Sequence, residues 1–428
     1  MTSKRFKVSI IYFVVVLLTL IFRIASALDI YSALGIQNDD AFWTCIVQIV
    51  IFGAVPFVSY MVFVASKEDR LLPYFPVKTK KNSEQNENEN KIIEQASFAV
   101  ESEYAREEAE PNISQNSVLD AAEKVDEQES SISAEQESIV FPEQESIAPA
   151  EQEKEIITAE NTQENASPSS KNGKARQAFS AFIRDFGFKK VSLKNALLTV
   201  VFAVCMIIIG TAVSMLWQMI LSVIGYTASS SHTHYENVGD LFLQILLVAV
   251  LPGFFEEFSH RGLLFAGYKE NGWKFVILSA LFFSLMHQNI RQTGYTFVDG
   301  LAMALAMYYT GSIWPGIFMH FLNNFWSVFL GYVSDVGGAF SFLITVENWL
   351  YSSIGGLIVM VLAVLLAIIL ATLVALSLRK DAVKRGRIPD TPFAKTTAYP
   401  ISYDMMFWLT VAVGAVATVF SLVWGLIR

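Results

Sequence analysis

Two adjacent glutamates, Glu256 and Glu257, stand near the end of an apolar run that begins near Leu241, with Arg261 close behind. An ionised carboxylate in hydrocarbon costs roughly 3 kcal/mol or more, so a membrane helix keeps such groups only where they are held and used. Glu257 and Arg261 are four residues apart and share a helical face, which makes them an internal neutralising pair. Glu256 points about 100° away and is left as the reactive carboxylate. Downstream, Phe283-Ser-Leu-Met-His287 puts a histidine in a second apolar segment, and His320-Phe-Leu-Asn-Asn324 puts a histidine and an asparagine one turn apart in a third. The chain has five histidines; His232 and His234 lie in a polar loop, and His260, His287 and His320 all fall in or beside these motifs. Such residue types suit hydrolysis: a carboxylate or imidazole takes a proton from water, and imidazole and amide N–H groups donate to a developing oxyanion.

The three motifs in order, E-E-x-x-x-R, F-x-x-x-H and H-x-x-x-N, resemble those of the CPBP family. These are intramembrane proteases of the type II CAAX prenyl endopeptidase and bacteriocin-processing kind, also called the Abi group. Each motif alone occurs by chance; all three, in order and on apolar segments, are specific. The resemblance covers about 194–333. It implies that Glu256 and His287 position and deprotonate a water, that His320 and Asn324 donate to the oxyanion, and that Glu257 and Arg261 support them. It implies a peptide substrate near the bilayer, with or without a lipid group. The family is also labelled metalloprotease. Glu256, His287 and His320 then read as a two-histidine, one-carboxylate zinc site with an open position. The H-E-x-x-H spacing that sets two ligands on one turn is missing, so the spacing itself calls for no cofactor and leaves a catalytic zinc open.

Each motif has a plainer reading. The glutamates could cap a short helix at the cytoplasmic surface, His287 could sit at the edge of a span, and His320 and Asn324 could join helices by hydrogen bonds. His260 reads as incidental. Trp314-Pro315-Gly316 starts a helix, and Pro252-Gly253 loosens the helix before the glutamates. The competing functions are a non-proteolytic scaffold or bacteriocin-immunity-type protein that keeps the fold, and a transporter. The last calls for an inverted repeat of the spans, and the sequence carries none.

The elements that must position these residues are membrane helices. Hydrophobic residues make up 53% of the chain, above the share expected of a soluble domain. The expected fold is all-α: a polytopic transmembrane bundle of about nine helices with a disordered acidic cytoplasmic insert. Residues 1–70 hold an N-terminal pair of spans, about 8–28 and 41–65. The first could also be a signal peptide, but its length and the span that follows favour a retained helix. Residues 71–175 form the acidic linker, where Glu-Gln-Glu-Ser recurs about every eight residues and the apolar content is too low for a core. Most of the chain's acidic residues belong to it. Residues 176–193 alternate phenylalanine with arginine and lysine and read as an amphipathic surface helix. Residues 194–334 form the protease core, with spans near 194–224, 239–261, 273–287, 297–311 and 313–333. Residues 335–428 add two more, near 349–378 and 405–427. The third and fourth core spans are short enough to be broken or re-entrant.

Lysine and arginine at the ends of the spans put the N-terminus and the insert in the cytoplasm; with no eukaryotic sorting signal apparent, a bacterial plasma membrane is expected, with the eukaryotic endoplasmic reticulum as the runner-up. No basic patch interleaved with aromatics points to nucleic acid. Cys45 and Cys205 lie in separate apolar runs and build no disulfide framework. One tension remains: counted along the helices, Glu256 and His320 lie toward the cytoplasmic side, whereas His287 lies about 20 Å into its span. An early-starting fifth helix that continues from Arg261 would reduce it.

Overall fold

A backbone in hydrocarbon has no water to satisfy it, so each apolar run must close its own hydrogen bonds as a helix. The computed structural model describes residues 2–28, 40–65, 171–227, 233–390 and 404–427. It is all-helical, with no strand among the described residues. Eleven helices follow in order. They are α1 (Thr2–Ala27), α2 (Ala41–Ala65), α3 (Lys171–Asp185), α4 (Leu193–Val223), α5 (Val238–Asn271) and α6 (Trp273–Met286). Then come α7 (Ile290–Thr310), α8 (Trp314–Val336), α9 (Phe342–Ser352), α10 (Ile354–Lys384) and α11 (Met405–Ile427). Six of them, α1, α2, α4, α5, α10 and α11, are long and apolar enough to cross a membrane. Helix α6 is apolar but has 14 residues, about 21 Å at the usual rise. Helices α7 and α8 are longer and carry polar residues of the site. The expected acidic linker lies, up to residue 170, outside the described residues.

Local chemistry sets the helix ends. Ser192 accepts from the Asn195 amide to start α4, and Asn237 with Asp240 forms a capping box at the start of α5, which satisfies amides left unpaired by the first turn. Helix α6 stops at His287 because Gln288 takes the left-handed conformation at φ 48°, and Asn289 then caps α7. Gly311, at φ 65°, ends α7, in a conformation that costs other residues more.

Residues 1–67 and 166–428 form one unit. Helix α1 is packed inside it: Val8, Tyr12 and Val15 are buried. Ser9 Oγ donates to Asp404 Oδ2 at 2.6 Å and lies 2.6 Å from Tyr268 Oη, which itself donates to Asp404 at 2.9 Å. This buried knot ties α1 to α5 and to the residue before α11. Helix α3, expected on the surface, ends in the core. Phe182 and Phe186 are buried, and Phe186 meets Tyr60 and Phe258 with ring centroids 4.8 Å away in each case. Asp185 accepts from Lys4 Nζ and Tyr60 Oη, both at 2.6 Å. Burial alone would push the Asp185 carboxyl up; these hydrogen bonds and the nearby cations outweigh it and hold its pKa below the ordinary value.

Candidate active site

The glutamates sit in a helix whose winding changes around them. Within α5 the hydrogen bonding is π-helical over Ile245–Val250 and Phe258–Leu263 and α-helical over Leu251–Glu257. Wider turns of this kind rotate the residues that follow and are frequent at functional sites. Gly253 lies where α8 crosses: a Cβ there would meet the Phe321 backbone at 3.2 Å. The glycine therefore permits a close helix crossing, a different role from the loosening expected of Pro252-Gly253.

Glu257 and Arg261 form the expected pair. Arg261 Nη1 donates to Glu257 Oε1 at 2.6 Å, and both side chains are fully buried. Arg261 also lies over the face of Phe283, 4.1 Å from its centroid. The ring of Phe283 meets His287 and His320 edge-on, at 4.8 and 5.4 Å. The phenylalanine of the second motif is thus a buried spacer between the cation and both imidazoles, and the cation–π contact steadies the guanidinium.

His320, on α8, bridges the two glutamates. Its Nδ1 is 2.9 Å from Glu257 Oε1, and its Nε2 is 4.0 Å from Glu256 Oε2. An ionised carboxylate only accepts, so Nδ1 carries a proton toward Glu257 and Nε2 faces Glu256. Gly316, one turn earlier, makes room for this arrangement: a Cβ there would stand 2.6 Å from Glu257 Oε2. Trp314-Pro315-Gly316 does begin α8, and its glycine also accommodates the buried pair. His287 Nδ1 lies 2.7 Å from the Phe283 carbonyl. That bond places the ring proton on Nδ1 and leaves the Nε2 lone pair free to take a proton. Asn324 Nδ2 donates to the Val248 carbonyl at 2.8 Å, and its amide keeps a second hydrogen for another acceptor.

Glu256, His287, His320 and Asn324 all line one cavity of about 440 Å³. Residues outside the three motifs line it too. Arg23, Thr44 and Gln48 come from α1 and α2, and Gln292, Tyr295 and Asp299 from α7. Gln48 Nε2 donates to Glu256 Oε1 at 2.8 Å. The sequence held a signal for this residue, since Gln48 is the one polar side chain in Ile46–Ala54. Asp299, an acid inside an expected span, is buried with Oδ1 unpaired beside Gly210, whose Cβ would lie 3.1 Å away. His260 does not line the cavity. It is fully buried, with Nδ1 2.5 Å from Tyr12 Oη, so it anchors α1 to α5.

The zinc reading needs three ligands around one point. Among the described residues no three His, Cys, Asp or Glu side chains come together in that way. Glu256, His287 and His320 share a cavity without gathering as a ligand set. As they stand in this structure, the three side chains do not form a zinc site.

Residues 238–326 match the model of a family described as Type II CAAX prenyl endopeptidase Rce1-like. This stretch is similar to the Rce1-like family. It agrees with the CPBP resemblance read from the motifs. The matched stretch starts with α5 and ends within α8, so it contains all seven motif residues and leaves α1, α2 and their Gln48 outside. No curated protein and no solved structure matches the chain. The family and the apolar helices together support a multi-pass membrane protein of a protease family.

Proposed function

We propose that the chain is an intramembrane endopeptidase that hydrolyses a peptide bond with water, using Glu256 and His287 as the base pair. One observation carries this reading: four polar motif residues from three separate helical segments face a single cavity. A water held between Glu256 and His287 loses its proton as it attacks the carbonyl carbon. The carbonyl oxygen becomes an oxyanion and receives hydrogen bonds from His320 Nε2, in the doubly protonated ring, and from the second hydrogen of Asn324. Each such donor contributes on the order of 3 kcal/mol where similar ones have been removed. The buried Glu257–Arg261 pair fixes His320 through Nδ1. The proton taken from water then goes to the departing amine.

The substrate is a peptide that reaches the cavity from the bilayer. The family description names a prenyl endopeptidase, so a lipid-modified peptide is the first class to try. The basic ends of the helices support a cytoplasmic N-terminus. The test is cleavage of membrane-tethered peptides by purified protein in lipid discs. Glu256→Gln and His287→Ala should each abolish cleavage, and His320→Ala should lower it by on the order of a hundredfold or more, while insertion and melting stay near wild type. Full cleavage by Glu256→Gln would sink the mechanism. A biological effect that survives all three changes favours a scaffold or immunity role.

A further inference from the structure

The Glu256 carboxylate is not left to itself. Gln48 reaches it from α2, 208 positions earlier in the chain and outside the matched stretch, and donates Nε2–H at 2.8 Å. A carboxylate can only accept, so the amide must turn Nε2 toward Glu256 and its oxygen the other way. That oxygen, Oε1, is buried and has no hydrogen-bond partner, in a residue that is 7% exposed and lines the cavity wall. A buried acceptor without a donor costs about 1–3 kcal/mol. Such a cost persists at a functional site when a ligand supplies the missing donor. The backbone around Gln48 is π-helical over Ile46–Ala54, a winding frequent at functional sites.

We propose that Gln48 is a substrate-binding residue that couples peptide docking to the base: Nε2 holds Glu256 while Oε1 accepts a backbone N–H of the substrate. This rests on the endopeptidase reading above. A peptide presents backbone N–H groups on either side of any scissile bond, whatever its side chains, so a single fixed acceptor serves many sequences. The N–H taken belongs to an amide flanking the one that is cut, because the water beside Glu256 must face the scissile carbonyl. Docking then closes the amide between substrate and base. A substrate that cannot donate there leaves Oε1 unpaired in the transition state.

The test uses the full chain in lipid discs and a membrane-tethered peptide that the wild type cleaves. Each amide flanking the scissile bond is replaced in turn by an ester, which removes one N–H and keeps the shape. For the wild type, one ester position should lower kcat/KM about tenfold. Gln48→Met, similar in volume and without polar atoms, should lower cleavage of the all-amide peptide and bring that amide-to-ester ratio close to one. Both rates are measured on one preparation, so a smaller folded fraction cancels from the ratio. If Gln48→Met has no measurable activity, Gln48→Asn decides: the shorter arm should shrink the ratio, and a wild-type ratio overturns the proposal. A wild-type ratio in Gln48→Met, or no sensitive position in the wild type, also overturns it. If the wild type cleaves no peptide at all, the endopeptidase reading itself falls and takes this one with it; the arms therefore separate the two failures.

Discussion

At the scale of single residues, the site depends on one side chain that is missing. Gly316 leaves the space into which Glu257 Oε2 projects, and any Cβ would intrude at 2.6 Å. Gly316→Ala therefore pushes Glu257, and Glu257 holds both Arg261 and His320. A shift near 1 Å in a positioned group can cost about a hundredfold in rate, and overpacking costs about 1–3 kcal/mol in stability. We expect cleavage to fall by at least about tenfold while the protein still inserts; unchanged cleavage would show that His320 does not rely on Glu257 for its placement. The motif residues were legible in the sequence because carboxylates and histidines are costly in apolar segments and because four-residue spacing fixes a shared face. Gly316 was legible only as the start of a helix. Its function concerns a contact with a residue 59 positions earlier, and no local pattern encodes that.

At the scale of helices, the sequence showed nine apolar segments and missed how far several extend. Helix α5 continues past Arg261 to Asn271, which removes the tension over depth. Glu256 precedes Lys269, and His287 follows Lys274, by the same thirteen residues, about 20 Å of helix in each case. Counted along their helices, the two groups then lie equally far from these lysines. The left-handed turn at Gln288 that stops α6 at this depth was not legible, because glutamine rarely adopts it and tertiary packing must impose it. The cavity-lining residues fall toward the helix ends that lack lysine: Arg23 late in α1, Thr44 early in α2, Gln292 early in α7. In the expected orientation, with the lysine-bearing ends cytoplasmic, the cavity would open toward the other face of the bilayer. Thr44→Cys, with Cys45 and Cys205 replaced by serine, should react with a membrane-impermeant thiol reagent added from the non-cytoplasmic side. Reaction from the cytoplasmic side alone would reverse the orientation.

At the scale of the whole molecule, the matched stretch and the working unit are not the same. The matched stretch runs from 238 to 326, yet α1 and α2 supply Gln48 to Glu256, Tyr12 to His260 and Ser9 to Asp404. All three bonds cross more than 200 positions of sequence, so hydropathy could reveal α1 and α2 as spans but not as walls of the site. Removing both helices would strip partners from three buried polar groups, at about 1–3 kcal/mol each, and would open the cavity on one side. Residues 68–165 separate the two parts of that unit along the sequence. The chain should therefore tolerate being cut there. Co-expressed fragments 1–67 and 166–428 should associate in the membrane and cleave the peptide at a rate within about tenfold of the intact chain, since only the linker's effective concentration is lost. Fragment 166–428 alone should insert, melt at a lower temperature and show no cleavage. Full activity from fragment 166–428 alone would mean that the matched stretch needs neither Gln48 nor the helix that carries it.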